Sequence, residues 1–313
     1  MSSSPTQIVD NEHVRFGTFL VVLSGFLYGM IGYFGMQLFY QGFTVPGMLF
    51  WRFFVAALWM LVVSIVLKRW RKLKLTQSQC LLMLSLASVG AFSYAGGSAF
   101  FYLSSLRIGT GPAMVLFFSF PFFVTMFSVY FKQSKMNWYV AIALIMIVAG
   151  MVMLNGRGTH NLDNMGILLG LMAAFCYGIY VYFSQLSSKK VDSLWLTLFI
   201  CIGCTLIFLV SELATNTFEV PQTMSAWRDV LILGVLATAI PIQLLLNGLK
   251  YISSVKASIL SVLEPMTTVV VGLLFLNETL SGMQVIGILT VLLGAIVIQF
   301  EKQPDYKIST PLK

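Results

Sequence analysis

Residues 261–281 read SVLEPMTTVVVGLLFLNETLS, an apolar run with Glu264 beside Pro265 near its centre and Glu278 at its end. A carboxylate at mid-depth in a lipid-spanning helix costs on the order of several kcal/mol where it faces lipid. Glu264 is therefore expected to face a polar cavity, pair with a cation or carry a proton. Pro265 removes one helical hydrogen bond and frees the carbonyl of Ser261, four residues back. Ser254, Ser258, Ser261, Pro265, Thr268 and Gly272 recur at spacings of four and three, which places a small, polar stripe on one helix face. Such a stripe suits close helix contact or the lining of a binding site.

The rest of the chain has the same apolar character. Its 313 residues are 58% hydrophobic and 10% charged, with a mean hydropathy of +0.89. Soluble domains carry about 25% charged residues, so the chain reads as a polytopic membrane protein. The first segment, MSSSPTQIVDNEHVRF, is polar and is not expected to be a cleaved signal. The net charge of +8 does not point to nucleic acid, because the basic residues sit in short gaps between apolar runs. Cys201 and Cys204 form a C-x-x-C inside an apolar run, with no nearby His or second pair to complete a metal site. Together with Cys80 and Cys176 they are expected to pack, as are the 17 methionines. No metal and no cofactor are expected.

A window of about 20 residues gives ten expected spans, at roughly 17–40, 46–67, 79–103, 111–131, 137–154, 165–186, 193–212, 229–249, 255–276 and 282–300. With both ends inside, the inside segments hold Arg15; Lys68, Arg69, Arg71, Lys72 and Lys74; Lys132 and Lys135; Lys189 and Lys190; Lys250 and Lys256; and Lys302, Lys307 and Lys313. The outside loops hold only Arg107, Arg157 and Arg228, and Arg52 lies within a span. Fifteen against three is a strong positive-inside bias and supports both the count and the orientation.

The chain also repeats. FLYGMIGYF at 26–34 and FCYGIYVYF at 175–183 match at five positions, and Pro121 and Gly150 recur as Pro265 and Gly294. Five spans per copy is an odd number, so the two copies enter the membrane from opposite sides. Inverted repeats of this kind are the structural basis of alternating access. The expected organisation is a tail over 1–15, one five-helix repeat over 16–155, a second over 164–300, and a tail over 301–313.

These residues carry a resemblance. LEP at 263–265 is followed by NETLSGMQVIG at 277–287, with weaker counterparts FP at 120–121 and QSKMNWYVAIA at 133–143. With PGMLFWRFFVAAL at 46–58 they resemble the EamA-like branch of the drug/metabolite transporter superfamily, over essentially residues 17–300. The resemblance implies an all-α, ten-helix carrier of small metabolites, commonly an exporter of amino acids or related compounds. It implies no ATP use, and no P-loop is present. An enzyme is not expected, because no paired His, Asp or Cys groups at an interface are apparent in the sequence.

Read with that resemblance, Glu264 is a candidate substrate-amine ligand or proton-coupling group, with fixing of helix packing as the alternative. Arg52 is assigned a structural role, with pairing to a carboxylate or a substrate anion as its alternative. Pro121, Pro241 and Pro265 are expected hinges, and Glu278 is expected at a helix end near a favourable dipole. Tyr28, Tyr94, Tyr102, Tyr177 and Tyr180 are candidate cavity aromatics, joined by Gln243, Asn247 and Ser261. Trp51, Trp70, Trp138 and Trp195 read as interfacial anchors, and His13 and His160 as solvated loop residues. The expected function is alternating-access transport of an amino-acid-like metabolite across the cell inner (plasma) membrane, with export and proton coupling as its expected features. Uptake or exchange of a nucleoside-like or vitamin-like compound is the alternative, ahead of a membrane sensor or enzyme. The expected partners are the metabolite and the lipid bilayer, and either a monomer or a homodimer is compatible.

Overall fold

A computed structural model describes residues 11–68, 77–131, 137–155, 163–188, 190–261, 263–265, 267 and 282–297. Every regular element among them is helical. The first crossing is α1 (Asn11–Tyr28) and α2 (Ile31–Tyr40), separated by a break at Gly29–Met30. It is followed by α3 (Val45–Val66), α4 (Gln77–Ile108), α5 (Thr110–Phe117), α6 (Phe120–Tyr130) and α7 (Trp138–Asn155). The second half holds α8 (Asn164–Ser188), α9 (Ser193–Thr215) and α10 (Met224–Leu231), then a π-helical segment (Ile232–Ala239) that leads into α11 (Ile240–Gly248). The last two elements are α12 (Ser254–Leu260) and α13 (Gly282–Val297).

Seven described stretches are long and apolar enough to cross a membrane, and two shorter apolar helices, Trp138–Met153 and Val285–Gly294, accompany them. All nine fall on expected spans. Of the remaining expected span, 255–276, the described part reaches residue 267, so the expected count of ten extends beyond the described residues. Glu278 also lies outside them, with Thr268 and Gly272 of the small-polar stripe.

Helix starts follow local chemistry. The side chains of Thr44, Asp192, Thr223 and Ser253 accept from the backbone N–H groups of Gly47, Leu194, Ala226 and Lys256 at 2.9–3.1 Å. Each such cap stabilises its helix by about 1 kcal/mol. The Thr44 hydroxyl also donates to buried Glu212 on α9 at 3.1 Å, which ties the start of α3 to the end of α9. Proline sets the interruptions. Pro121 lies in the first turn of α6 just after the break at Phe118–Ser119, and Pro241 follows the π-helical segment. Pro265 is buried beyond the turn at Ser261, whose carbonyl accepts from Glu264 N–H at 3.0 Å.

The packing shows a paired arrangement. α3 lies against α9, and α7 against α13. α4 packs on α8 and α9, while α11 packs on α1 and the π-helical segment packs on α3. Close backbone approaches repeat in the same register. A Cβ on Gly29 would collide with Thr267 and come within 2.6 Å of Glu264 O; one on Gly178 would lie 2.9 Å from Phe123 Cβ and 3.5 Å from Phe120 O. Gly150 faces Gly287 O and Val291, and Gly294 faces Ala143 O and Ile147. The outer faces carry exposed apolar side chains, among them Ile145, Val152, Leu206, Val210 and Leu289, as lipid contact requires.

Candidate substrate cavity

Where the broken crossings meet, the side chains enclose a cavity. Its lining comes from Tyr28 and Ile31 around the α1–α2 break, Arg52 on α3, and Tyr94, Ser98, Phe101 and Tyr102 on α4. Met114, Phe117 and Phe118 close it from α5 and the following turn, Tyr177 from α8, and Glu264 from beyond α12. The unfilled space, open solvent at its mouth included, is about 460 Å³.

Arg52 organises the polar wall. It is buried, and its Nε donates to Thr238 Oγ1 at 2.7 Å in the π-helical segment. Its Nη2 donates to the Tyr94 hydroxyl at 3.0 Å, and Tyr94 OH in turn donates to Tyr28 OH at 3.3 Å. The guanidinium carbon lies 5.1 Å from the Phe53 ring centre and 5.8 Å from that of Tyr94, both in cation–π range. Thr238 is fixed by donating to Leu233 O at 2.7 Å, a bond over five residues that fits the wider π-helical turn.

Aromatic contacts build the other wall. Tyr177 lies 5.0 Å from Phe117, 4.8 Å from Phe120 and 5.9 Å from Tyr94, measured between ring centres. Tyr102 packs edge-on to Phe39 at 5.5 Å. Its hydroxyl is buried and has no hydrogen-bond partner among the described residues.

Of the residues singled out in the sequence, the cavity brings together Tyr28, Tyr94, Tyr102, Tyr177, Glu264 and Arg52. Tyr180 is fully buried behind it, 4.6 Å from the Tyr94 ring. Gln243, Asn247 and Ser261 lie elsewhere. Gln243 accepts from Thr197 at 2.8 Å, Asn247 from Ser193 at 2.7 Å and Lys250 at 3.0 Å, and Ser261 donates to Ala257 O at 3.0 Å. Trp51 is buried and donates to Glu219 O at 2.8 Å, whereas Trp138 is exposed as an anchor would be. Cys201 and Cys204 are buried on α9, the latter donating to Ala91 O at 3.5 Å. Sequence reasoning missed Ile31, Ser98, Phe101 and Phe118 in the lining, and Thr238 behind Arg52. A hydroxyl in the apolar run ATAIPIQ just before Pro241 was the available signal for Thr238.

The cavity is displaced toward one end of the bundle. Arg52 is two turns past the loop before α3, and Phe101, Tyr102 and Met114 flank Gly109 at the turn between α4 and α5. Toward the opposite end, hydrogen bonds join neighbouring helices. Ser24 donates to Pro241 O at 2.7 Å and Gln185 to Ile252 O at 3.2 Å, beside the Thr197–Gln243 and Ser193–Asn247 bonds.

An all-helical, multi-pass membrane protein with a cavity among its helices is the class these features define. The chain belongs to the EamA-like transporter family, which it matches over residues 15–156 and again over 164–300. It is 26% identical over 195 residues to YoaV, an uncharacterized transporter of Bacillus subtilis (strain 168), covering 61% of this chain and 64% of that one. An uncharacterized transporter of Archaeoglobus fulgidus is 31% identical over 132 residues, 42% of this chain and 47% of its own length. Over 244 residues the chain is 25% identical to the threonine/homoserine exporter RhtA of Escherichia coli (strain K12), covering 77% of this chain and 76% of that protein. A crystal structure with 17% sequence identity superposes with a TM-score of 0.74, covering 90% of this chain and 96% of its own, and shares the fold.

Proposed function

We propose that this transporter is a secondary carrier for a small amino-acid-like metabolite, working by alternating access between two inverted five-helix halves, 16–155 and 164–300. The observation that carries the reading is the cavity itself. It sets one guanidinium and one carboxylate among tyrosines and phenylalanines, with Tyr28, Tyr177 and Glu264 at mid-span. A zwitterion with an organic side chain has the matching chemistry.

The matched close approaches of Gly29 and Gly178, and of Gly150 and Gly294, support the two-fold relation between the halves. The separate family matches over the two halves support it too. With the basic segments inside, the open end of the cavity faces outside and the hydrogen-bonded end faces the cytoplasm, an outward-facing arrangement. Exchange of the two halves' packings would open the other end. The direction favoured is export, in keeping with the named activity of the RhtA relatives, and Glu264 is the group assigned to proton coupling.

The test is reconstitution into proteoliposomes and flux of a radiolabelled amino-acid mixture, with and without an imposed pH gradient. The native protein should respond to the gradient and Glu264→Gln should not. A variant that stays gradient-driven removes the coupling role from Glu264.

A further inference from the structure

We propose that Arg52 is the anchor for the substrate's carboxylate, a role distinct from holding helices together. The proposal rests on the amino-acid-like reading above and assigns one end of the substrate to one residue. A guanidinium has five N–H donors in a planar fork. In Arg52 the Nε proton goes to Thr238 and one Nη2 proton to Tyr94. Among the described residues no hydrogen bond engages Nη1. The end formed by Nη1 and the second Nη2 proton is the edge that binds a carboxylate through two parallel hydrogen bonds.

Three further observations point the same way. Both hydrogen-bond partners of this buried cation are neutral hydroxyls. Hydroxyls carry no formal charge to offset the guanidinium, and Glu264 is the one carboxylate among the lining residues, so an arriving anion gains from the low dielectric. Arg52 is itself one of the residues that line the cavity, and Thr238 and Tyr94 hold its plane from two different crossings. The fork is thus oriented before the substrate arrives, which lowers the ordering cost of binding. Finally, the rest of the lining near Arg52 is mostly aromatic, so a carboxylate placed there directs the remainder of the molecule toward Phe101, Phe117 and Tyr177.

Glu264 lines the same cavity and offers a competing use for Arg52, as its internal counter-ion. The two arrangements differ in what they demand of the substrate. An anchor needs a carboxylate; an internal pair does not.

The experiment is counterflow of a radiolabelled amino-acid mixture into proteoliposomes, competed by L-threonine and L-phenylalanine and by their carboxamides. The native protein should be inhibited by the acids at concentrations at least about tenfold lower than by the amides. Arg52→Gln should abolish that preference, and Arg52→Lys, which keeps the charge but loses the fork, should restore part of it. The native competition needs no variant, so it stands even where Arg52→Gln fails to fold. Amides that compete as well as acids overturn the anchor and leave the carrier reading intact. No amino-acid flux through the native protein overturns the amino-acid reading, and the anchor falls with it.

Discussion

Arg52 and Thr238 are 186 residues apart in the chain, yet Arg52 Nε donates to Thr238 Oγ1 at 2.7 Å inside the bundle. The bond joins α3 of one half to the π-helical segment of the other. Thr238→Val keeps the shape and removes the acceptor. It should weaken substrate affinity by about 1–3 kcal/mol, the cost of leaving a buried charged donor unpaired, while Thr238→Ser should behave as native. Half-saturating concentrations in proteoliposome uptake measure both.

The close approach at Gly178 is a packing constraint. Gly178→Ala places a methyl 2.9 Å from Phe123 Cβ, and helix backbones must separate to admit it. Overpacking of this kind costs about 1–3 kcal/mol. The detergent-solubilised variant should unfold at lower temperature by tryptophan fluorescence. Gly282→Ala, where nothing lies within 4 Å of the added Cβ, is the control that should not.

Under the proposed alternating access, the hydrogen-bonded end of the cavity acts as a polar seal, and weakening it should shift the balance between the two access states. Gln243→Leu loses the bond from Thr197 and Asn247→Leu the bond from Ser193. Interhelical hydrogen bonds in membranes average about 0.6 kcal/mol, so each change should move the population about threefold away from the proposed outward-facing state. Labelling of a Ser98→Cys reporter by an impermeant maleimide from outside should fall accordingly.

Outside the span, Asp163 accepts from Arg107 at 2.9 Å and from the N–H groups of Met165 and Gly166 at the start of α8. The Arg107 hydrogen bond, ahead of the two from the backbone, holds the Asp163 carboxyl below its ordinary range. A carboxyl lowered on folding adds stability that is fully present above the unfolded value, near about 4. That stability is lost as pH falls through the lower folded value. Thermal stability measured from pH 6 down to pH 3 should therefore fall less steeply in Asp163→Asn than in the native protein.

Much of this was legible in the sequence because membrane physics leaves few choices. Apolar runs of about 20 residues must be helices, so seven long crossings and two shorter helices lie where hydropathy and the basic loops put them. Pro121 and Pro241 announced their interruptions in the same way, through a missing N–H. The cavity was only half legible. Tyr28, Tyr94, Tyr177 and Glu264 stood out as polar groups at mid-span, but depth alone does not say which side of a helix faces inward. Gln243 and Asn247 have the same composition signal, yet they bond to α9 away from the cavity. Arg52 read as a packing residue because its partners, Thr238 and Tyr94, come from distant segments that only the tertiary fold brings together.

The central claim is that this cavity serves a carrier, and counterflow tests it most directly. Proteoliposomes holding the native protein and loaded with unlabelled amino acids should take up a trace radiolabelled amino-acid mixture in a transient overshoot, which Tyr177→Ala at the cavity wall should diminish. Uptake no greater than that of protein-free liposomes, with or without internal amino acids, would contradict the account.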